Sequence, residues 1–217
     1  MAGSSPSSWL GFPKGVVVKT IGVISDTHCR LREGALRVLR GEYGDEQVLL
    51  HKAIDADEDE TARTVPLPCD LIVHAGDVGY PSDPCAWILD DLEAIAPVVV
   101  VAGNCDWPDA FNFHGKPLPQ YATFTLEGVR FAVLHRPKDL RDAVYGGGSL
   151  NPAYIMPEPR VLIHGHTHVL RADVTAAGSI TLCPGSPTLP REGNPPTVAI
   201  VRVEEPGRVL SIDIIEV

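Results

Sequence analysis

The 217-residue sequence predicts an α/β fold, built as a two-sheet β-sandwich flanked by helices. Three features carry that prediction. The first half alternates β-branched apolar runs with amphipathic helical periods, the second half is strand-rich throughout, and several apolar runs break off at a polar cluster.

Residues 1–15 form a leader rich in Ser, Gly and Pro, expected to be flexible, and residues 16–217 are expected to form a single domain. The nearly uniform apolar run at 15–25 suits a strand buried on both faces, ending at Ser25, Asp26, Thr27 and His28. Residues 31–40 set Leu31, Ala35, Leu36, Val38 and Leu39 among charges, a short amphipathic helix stopped by Gly41. The stretch 41–68 is expected to be an acidic surface insertion, with Asp55, Asp57, Glu58, Asp59 and Glu60 solvated after a short helix over 47–53. Residues 70–74 form a second buried strand, opening into Ala75, Gly76 and Asp77. A helix over 84–95 follows, with Trp87, Ile88, Leu89, Leu92 and Ile95 on one face. The strand at 97–102 ends at Gly103, Asn104, Cys105 and Asp106. Residues 121–126 and 129–135 flank Glu127 and Gly128 as a hairpin that ends on His135. A loop or short helix holds Gly146, Gly147 and Gly148. The apolar run at 160–163 then enters His164, Gly165, His166, Thr167 and His168, and four more strands are expected at 169–176, 178–183, 197–204 and 208–217.

With 28 acidic against 18 basic side chains, the net charge of −10 sets up a field that repels bulk nucleic acid and anionic membrane. A phosphate ester would be drawn only to a local positive charge, such as a metal. No stretch approaches the roughly 18 to 20 apolar residues needed to span a bilayer, and the start lacks the pattern of a secretory signal. The five cysteines are odd in number and widely spaced, with no C-x-x-C pair. They argue against a disulfide scaffold and for a reduced, cytoplasmic setting. Exposed strand edges in the second half permit a homodimer.

Ligands of open α/β sheets gather at the carboxyl ends of strands. Here those ends carry Asp26 and His28, Asp77, Asn104, His135, and the histidines of 164–168. Taken singly, Asp26 suits a helix cap, Asp77 a turn, Asn104 a left-handed turn and His135 a core position. Taken together they supply carboxylate, amide and imidazole donors, the set a divalent metal uses. In an extended strand His164, His166 and His168 share one side, so alternation alone leaves all three as ligand candidates.

The ordered motifs Ser25-Asp26-Thr27-His28, Ala75-Gly76-Asp77, Gly103-Asn104-Cys105-Asp106, Leu134-His135 and Gly165-His166-Thr167-His168 resemble those of calcineurin-like metallophosphoesterases. Gly-Asn-Cys-Asp and the later Cys183-Pro184-Gly185-Ser186, with Pro190-Arg191, are most similar to the small bacterial and archaeal phosphodiesterase subfamily, whose fold is shared by a retromer scaffold subunit. The resemblance runs from about Ile21 to Val203. It implies a four-layer α/β/β/α architecture and two divalent metal ions, manganese first, with nickel, iron, zinc or magnesium as alternatives. One ion would be held by Asp26, His28, Asp77 and His168, the other by Asp77, Asn104, His135 and His166, with Asp77 bridging. His164 then falls beside the site, and Gly165 is expected to let the chain turn so that His166 and His168 diverge.

The activity implied is hydrolysis of phosphoric esters, a phosphodiesterase acting on small organic or nucleotide-like diesters by in-line attack of a metal-bridging hydroxide. The alternative is a non-catalytic interaction scaffold like the retromer subunit. Larger members place a histidine after the motif asparagine to assist the leaving group. Cys105 stands there instead, a poor proton donor, and Asp106 either substitutes as the acid or supports the turn beside the ligands. Arg136 replaces the usual glycine after the motif histidine, where it either packs at the surface or offers a guanidinium to a substrate phosphate. His74 is expected to support the ligands rather than bind metal.

Overall fold

The computed structural model describes residues 17–56, 66–106, 112–139 and 159–217. The leader, the acidic residues at 57–60 and the glycines at 146–148 lie outside the described residues. In chain order the elements are β1 (Val18–Ile24), α1 (Glu33–Leu39), β2 (Val48–Ala53), β3 (Leu71–His74), α2 (Trp87–Glu93), β4 (Val98–Val100), β5 (Asn112–Phe113), β6 (Lys116–Pro117), β7 (Tyr121–Leu126), β8 (Val129–Leu134), β9 (Val161–Ile163), β10 (Leu170–Val174), β11 (Ile180–Pro184), β12 (Thr197–Glu204) and β13 (Arg208–Glu216). Among the described residues, no helix is long and apolar enough to cross a membrane.

The strands form a six-stranded sheet, β2-β13-β12-β1-β3-β4, and a five-stranded sheet, β10-β11-β9-β8-β7. β1 runs parallel to β3 and β3 to β4, while in the second sheet β8 and β9 are parallel. Parallel pairing carries the polar clusters after β1, β3 and β4 to one edge of the first sheet, and those after β8 and β9 to one edge of the second.

Strand alternation splits the core. Ile21 and Val23 of β1, Val73 of β3, and Ile212 and Ile214 of β13 point between the sheets and meet Phe131, Val133, Val161, Ile163 and Leu182. Ile24, Ile72, Val198 and Ile200 point the other way, onto Val38 and Leu39 of α1 and Ile88, Leu89 and Leu92 of α2. All of these side chains are fully buried, each contributing about 1.5–3 kcal/mol of hydrophobic stabilisation. The layers so built are helix, sheet and sheet. A small cluster of Ala132, Leu134, Leu162 and Tyr121 covers the outer face of the second sheet; the chain at 140–158, which follows β8, lies outside the described residues.

Two expectations are corrected, and one bridge is added. Residues 48–53 form an edge strand rather than a helix, with Leu50 opposite Ile214 and His51 opposite Asp213. Its apolar run suits either state, and hydrogen bonding to the open edge of β13 decides between them. Asp55 is not simply solvated: Arg160 Nη2 donates to its Oδ1 at 2.7 Å and the Val209 N–H to its Oδ2 at 2.9 Å. Cys29 and Cys85 are joined in a disulfide, a single bridge that the spacing did not indicate, while Cys69, Cys105 and Cys183 are free. The backbone bonds His28 N–H to Asp77 O and Cys29 N–H to Val78 O lay the loop after β1 along the loop after β3, toward Cys85, a proximity that sequence spacing does not reveal.

Candidate metal centre

Each strand end turns sharply as it leaves its sheet. Asp26, His28, Asp77, His166 and His168 all have φ between 47° and 68°, the left-handed region that residues with a side chain seldom occupy. Such positions cost roughly 1–3 kcal/mol each, and here interlocking hydrogen bonds hold them. The Asp26 N–H reaches Gly76 O at 2.9 Å. The His166 N–H reaches the Asp26 carboxylate at 3.1 Å, and the Cys105 N–H reaches Asp77 Oδ1 at 2.8 Å.

The result is one cluster. Asp77 Oδ2 lies 3.7 Å from His28 Nε2 and 3.3 Å from His135 Nε2, between imidazoles delivered by different sheets. Asp26 Oδ1 lies 3.2 Å from His168 Nε2, which is 3.4 Å from His28 Nε2. The ligand atoms of Asp26, His28 and His168 fall within 4.8 Å of one another, as do those of Asp26, Asp77 and His135. His166 stands edge-on to His135 with ring centroids 5.2 Å apart, and its Nδ1–H donates to Asn104 Oδ1 at 2.8 Å. The structure therefore gathers all seven ligand candidates of the sequence. Gly103 and Gly165 permit the close approach: a Cβ at Gly103 would lie 2.1 Å from Asp77 Oδ1, and one at Gly165 2.7 Å from Asp26 Oδ2.

A model of the calcineurin-like phosphoesterase superfamily domain matches residues 20–206. The chain belongs to that superfamily. A probable metallophosphoesterase of Methanothermobacter thermautotrophicus is 32% identical over 201 residues, 90% of this chain and 91% of that protein. Another, from Methanocaldococcus jannaschii, is 32% identical over 174 residues, 79% of this chain and 69% of that protein. Among solved structures, Yfce, a phosphoesterase from E. coli, matches with a TM-score of 0.51 at 22% identity, covering 83% of this chain and 87% of that one. Vacuolar Protein Sorting 29 from Cryptosporidium parvum matches with a TM-score of 0.50 at 16% identity, covering 92% and 99%. The structural likenesses establish the fold, and family membership implies a phosphoric ester hydrolase that uses divalent metal ions.

The donor chemistry of this phosphoesterase fits such ions. His135 Nδ1–H donates to Ala75 O at 2.8 Å and His168 Nδ1–H to Leu189 O at 2.6 Å, so each ring turns its Nε2 toward a carboxylate. His135 Nε2 is buried without a hydrogen-bond partner, and a ring nitrogen set 3.3 Å from a carboxylate calls for a positive charge there, a proton or a metal ion. Burial disfavours charge on all four ligand imidazoles. At His28 and His166 burial prevails and the pKa is lowered; at His135 and His168 the neighbouring Asp77 and Asp26 outweigh it and the pKa is raised.

The supporting residues divide into those the sequence indicated and those it did not. His74 accepts the Gly76 N–H at Nδ1, 3.2 Å away, so its Nε2–H donates to Thr27 Oγ1 at 3.0 Å, and Thr27 donates onward to Val78 O. Its ring thus ties together the loops that carry the ligand candidates. Asp106, weighed as an acid or as a turn-supporting residue, has the bonds of the second: its carboxylate accepts the N–H groups of Val78, Gly79 and Gly103, at 3.2, 3.0 and 2.8 Å. Ser25, Ser186 and Thr188 went unassigned in the sequence. Ser25 Oγ donates to Asp26 Oδ2 at 2.6 Å, while Ser186 and Thr188 donate to Asp26 O at 2.8 and 3.3 Å. Tyr80 also packs against His28, the rings tilted by 30° with centroids 5.1 Å apart. The recurrence of Ser and Thr after Gly185 was the available signal.

Burial lowers the His74 pKa to about 4. A histidine that resists protonation when folded but titrates near 6.5 when unfolded stabilises the protein above pH 6.5, and that contribution is lost as pH falls toward 4. In metal-free protein the loss from His74 is expected to reach about 3 kcal/mol. Urea unfolding at pH 7 and pH 4.5 checks it, because the drop should be smaller in His74→Gln by about 2 kcal/mol. Equal drops would assign the acid sensitivity to other groups.

Proposed function

We propose that this superfamily member is a metal-dependent phosphodiesterase acting on small organic or nucleotide-like phosphodiesters. The observation that supports it most is the Asp77 carboxylate set between His28 and His135, whose Nε2 atoms lie 3.7 and 3.3 Å from one oxygen. In this reading Asp26, His28, Asp77 and His168 hold one ion, and Asp77, Asn104, His135 and His166 hold the other. Manganese suits the mixed imidazole and oxygen set, with nickel, iron, zinc and magnesium as competitors. Two bound divalent ions supply Lewis acidity to the phosphoryl oxygens and a water acidified toward neutral pH.

The chain's own groups set the rest. Ala75 O and Leu189 O fix the tautomers of His135 and His168. Ser25, with the His166 N–H, orients the Asp26 carboxylate. Asn104 adds a neutral oxygen, which limits negative charge where an anionic ester must approach. Cys105 is held as a neutral thiol, pushed up to about 11 by burial and by Asp77, and gives a departing alkoxide little help. The preferred esters therefore carry leaving groups of low pKa.

The reading as a non-catalytic scaffold draws on the fold shared with Vacuolar Protein Sorting 29 at 16% identity. The orphaned, carboxylate-facing nitrogen of His135 favours the enzyme. A chromogenic phosphodiester assayed across divalent ions tests it: turnover should vanish with chelator and return with manganese. Metal-independent turnover, or none with any ion, would sink the enzyme reading.

A further inference from the structure

A cavity of about 170 Å³ opens beside the second half of the site. It is lined by Asn104 and His135 of the metal centre and by Gln120, Arg136 and Asp139. For scale, an engineered cavity of about 150 Å³ accepts benzene, so the space admits a substituent well beyond a phosphoryl group. Arg136 follows His135 directly, and its side chain is exposed at this wall.

Among the described residues no hydrogen bond or ion pair involves the Arg136 guanidinium, although the Asp139 carboxylate lines the same cavity. The guanidinium is a planar fork of five N–H donors that matches a carboxylate or phosphate. With a net charge of −10, the chain as a whole disfavours the approach of multiply charged anions. A fixed cation at the rim of the cavity is thus a local attractor, and Asp139 opposes it.

We propose that this cavity receives the substituent on one side of the scissile phosphodiester and that Arg136 reads a negative charge on it. The substrate class is then a diester carrying a second anionic group, carboxylate or phosphate, a few bonds from the reacting phosphorus. The assignment rests on the phosphodiesterase reading. It goes beyond that reading by giving selectivity to a residue outside the metal ligands.

The test uses two aryl phosphodiesters matched in leaving-group pKa, one bearing a carboxylate and the other its neutral methyl ester. Both are assayed as kcat/KM with the full chain and manganese. Wild type should prefer the charged ester. Arg136→Gly should reduce that preference by about 10- to 100-fold, the range of a lost charge-assisted hydrogen-bond pair. Asp139→Asn should increase it, because the variant removes the opposing charge. An Arg136→Gly variant that loses activity on both esters in equal proportion, or an Asp139→Asn variant that shifts selectivity the same way as Arg136→Gly, would overturn the subsite. A wild type that hydrolyses the neutral ester with no preference for the charged one overturns the subsite alone, whereas one that hydrolyses neither overturns the activity as well.

Discussion

Replacing Asp77 by alanine is expected to lower kcat/KM toward a chromogenic phosphodiester by at least ~10³-fold, a loss of about 4 kcal/mol of transition-state stabilisation. Asp77 is the ligand candidate common to both proposed metal sets. One oxygen lies between His28 and His135, and the other accepts the Cys105 N–H at 2.8 Å. Alanine removes the charge that offsets two cations and releases the loop that carries Asn104. Because Asp77 sits at φ 55°, where asparagine is tolerated better than most residues, Asp77→Asn is the partner variant. It should keep the wild-type melting temperature within a few degrees while losing most of the turnover, which separates chemistry from folding. Metal content by elemental analysis should fall in both variants. Turnover within tenfold of wild type would remove Asp77 from the bridging place.

The second large effect is a gain. Cys105→His is expected to raise kcat/KM toward alkyl phosphodiesters by about 10²-fold, the lower end of what a positioned general acid contributes. Activity on p-nitrophenyl diesters should change less than about threefold, since that leaving group departs without a proton. The position is suitable because the Cys105 N–H is anchored on Asp77 Oδ1 and the half-exposed side chain stands beside the Asn104 amide, with Nδ2 to Sγ 3.4 Å. The present thiol stays protonated near neutral pH, and sulfur is a weak hydrogen-bond donor. Equal change on both ester classes, or none, would show that residue 105 does not meet the leaving oxygen.

Much of this site was legible because its signals are local. Runs of β-branched residues mark buried strands within a few positions, and polar clusters that end such runs mark where ligands collect in an α/β sheet. That logic placed Asp26, His28, Asp77, Asn104, His135, His166 and His168 on strand ends, and the structure brings all of them together. The same local logic misjudged residues 48–53, because an apolar run suits helix or strand until a partner edge is present. For Gly165 it pointed to a turn, and the structure adds a packing reason. Gly165 is absent from the glycines with positive φ; what its missing Cβ permits is the close approach to Asp26 Oδ2.

By itself the sequence determined the α/β class, the order of the strands and the residue types offered at their ends, since propensity and periodicity act over a few residues. Only the tertiary structure decided which groups meet. The alternation of His164, His166 and His168 predicted three equivalent side chains, yet β9 stops at Ile163 and left-handed turns at His166 and His168 send those two toward Asn104 and Asp26, leaving His164 buried against Gly165 O. Asp106 became a loop clamp, Cys29 met Cys85, and Ser186 reached Asp26 across a sequence separation of 160 residues. Such contacts follow from how the two sheets and their loops pack, and that packing is a balance of burial and hydrogen bonding over the whole chain that no short window of sequence contains.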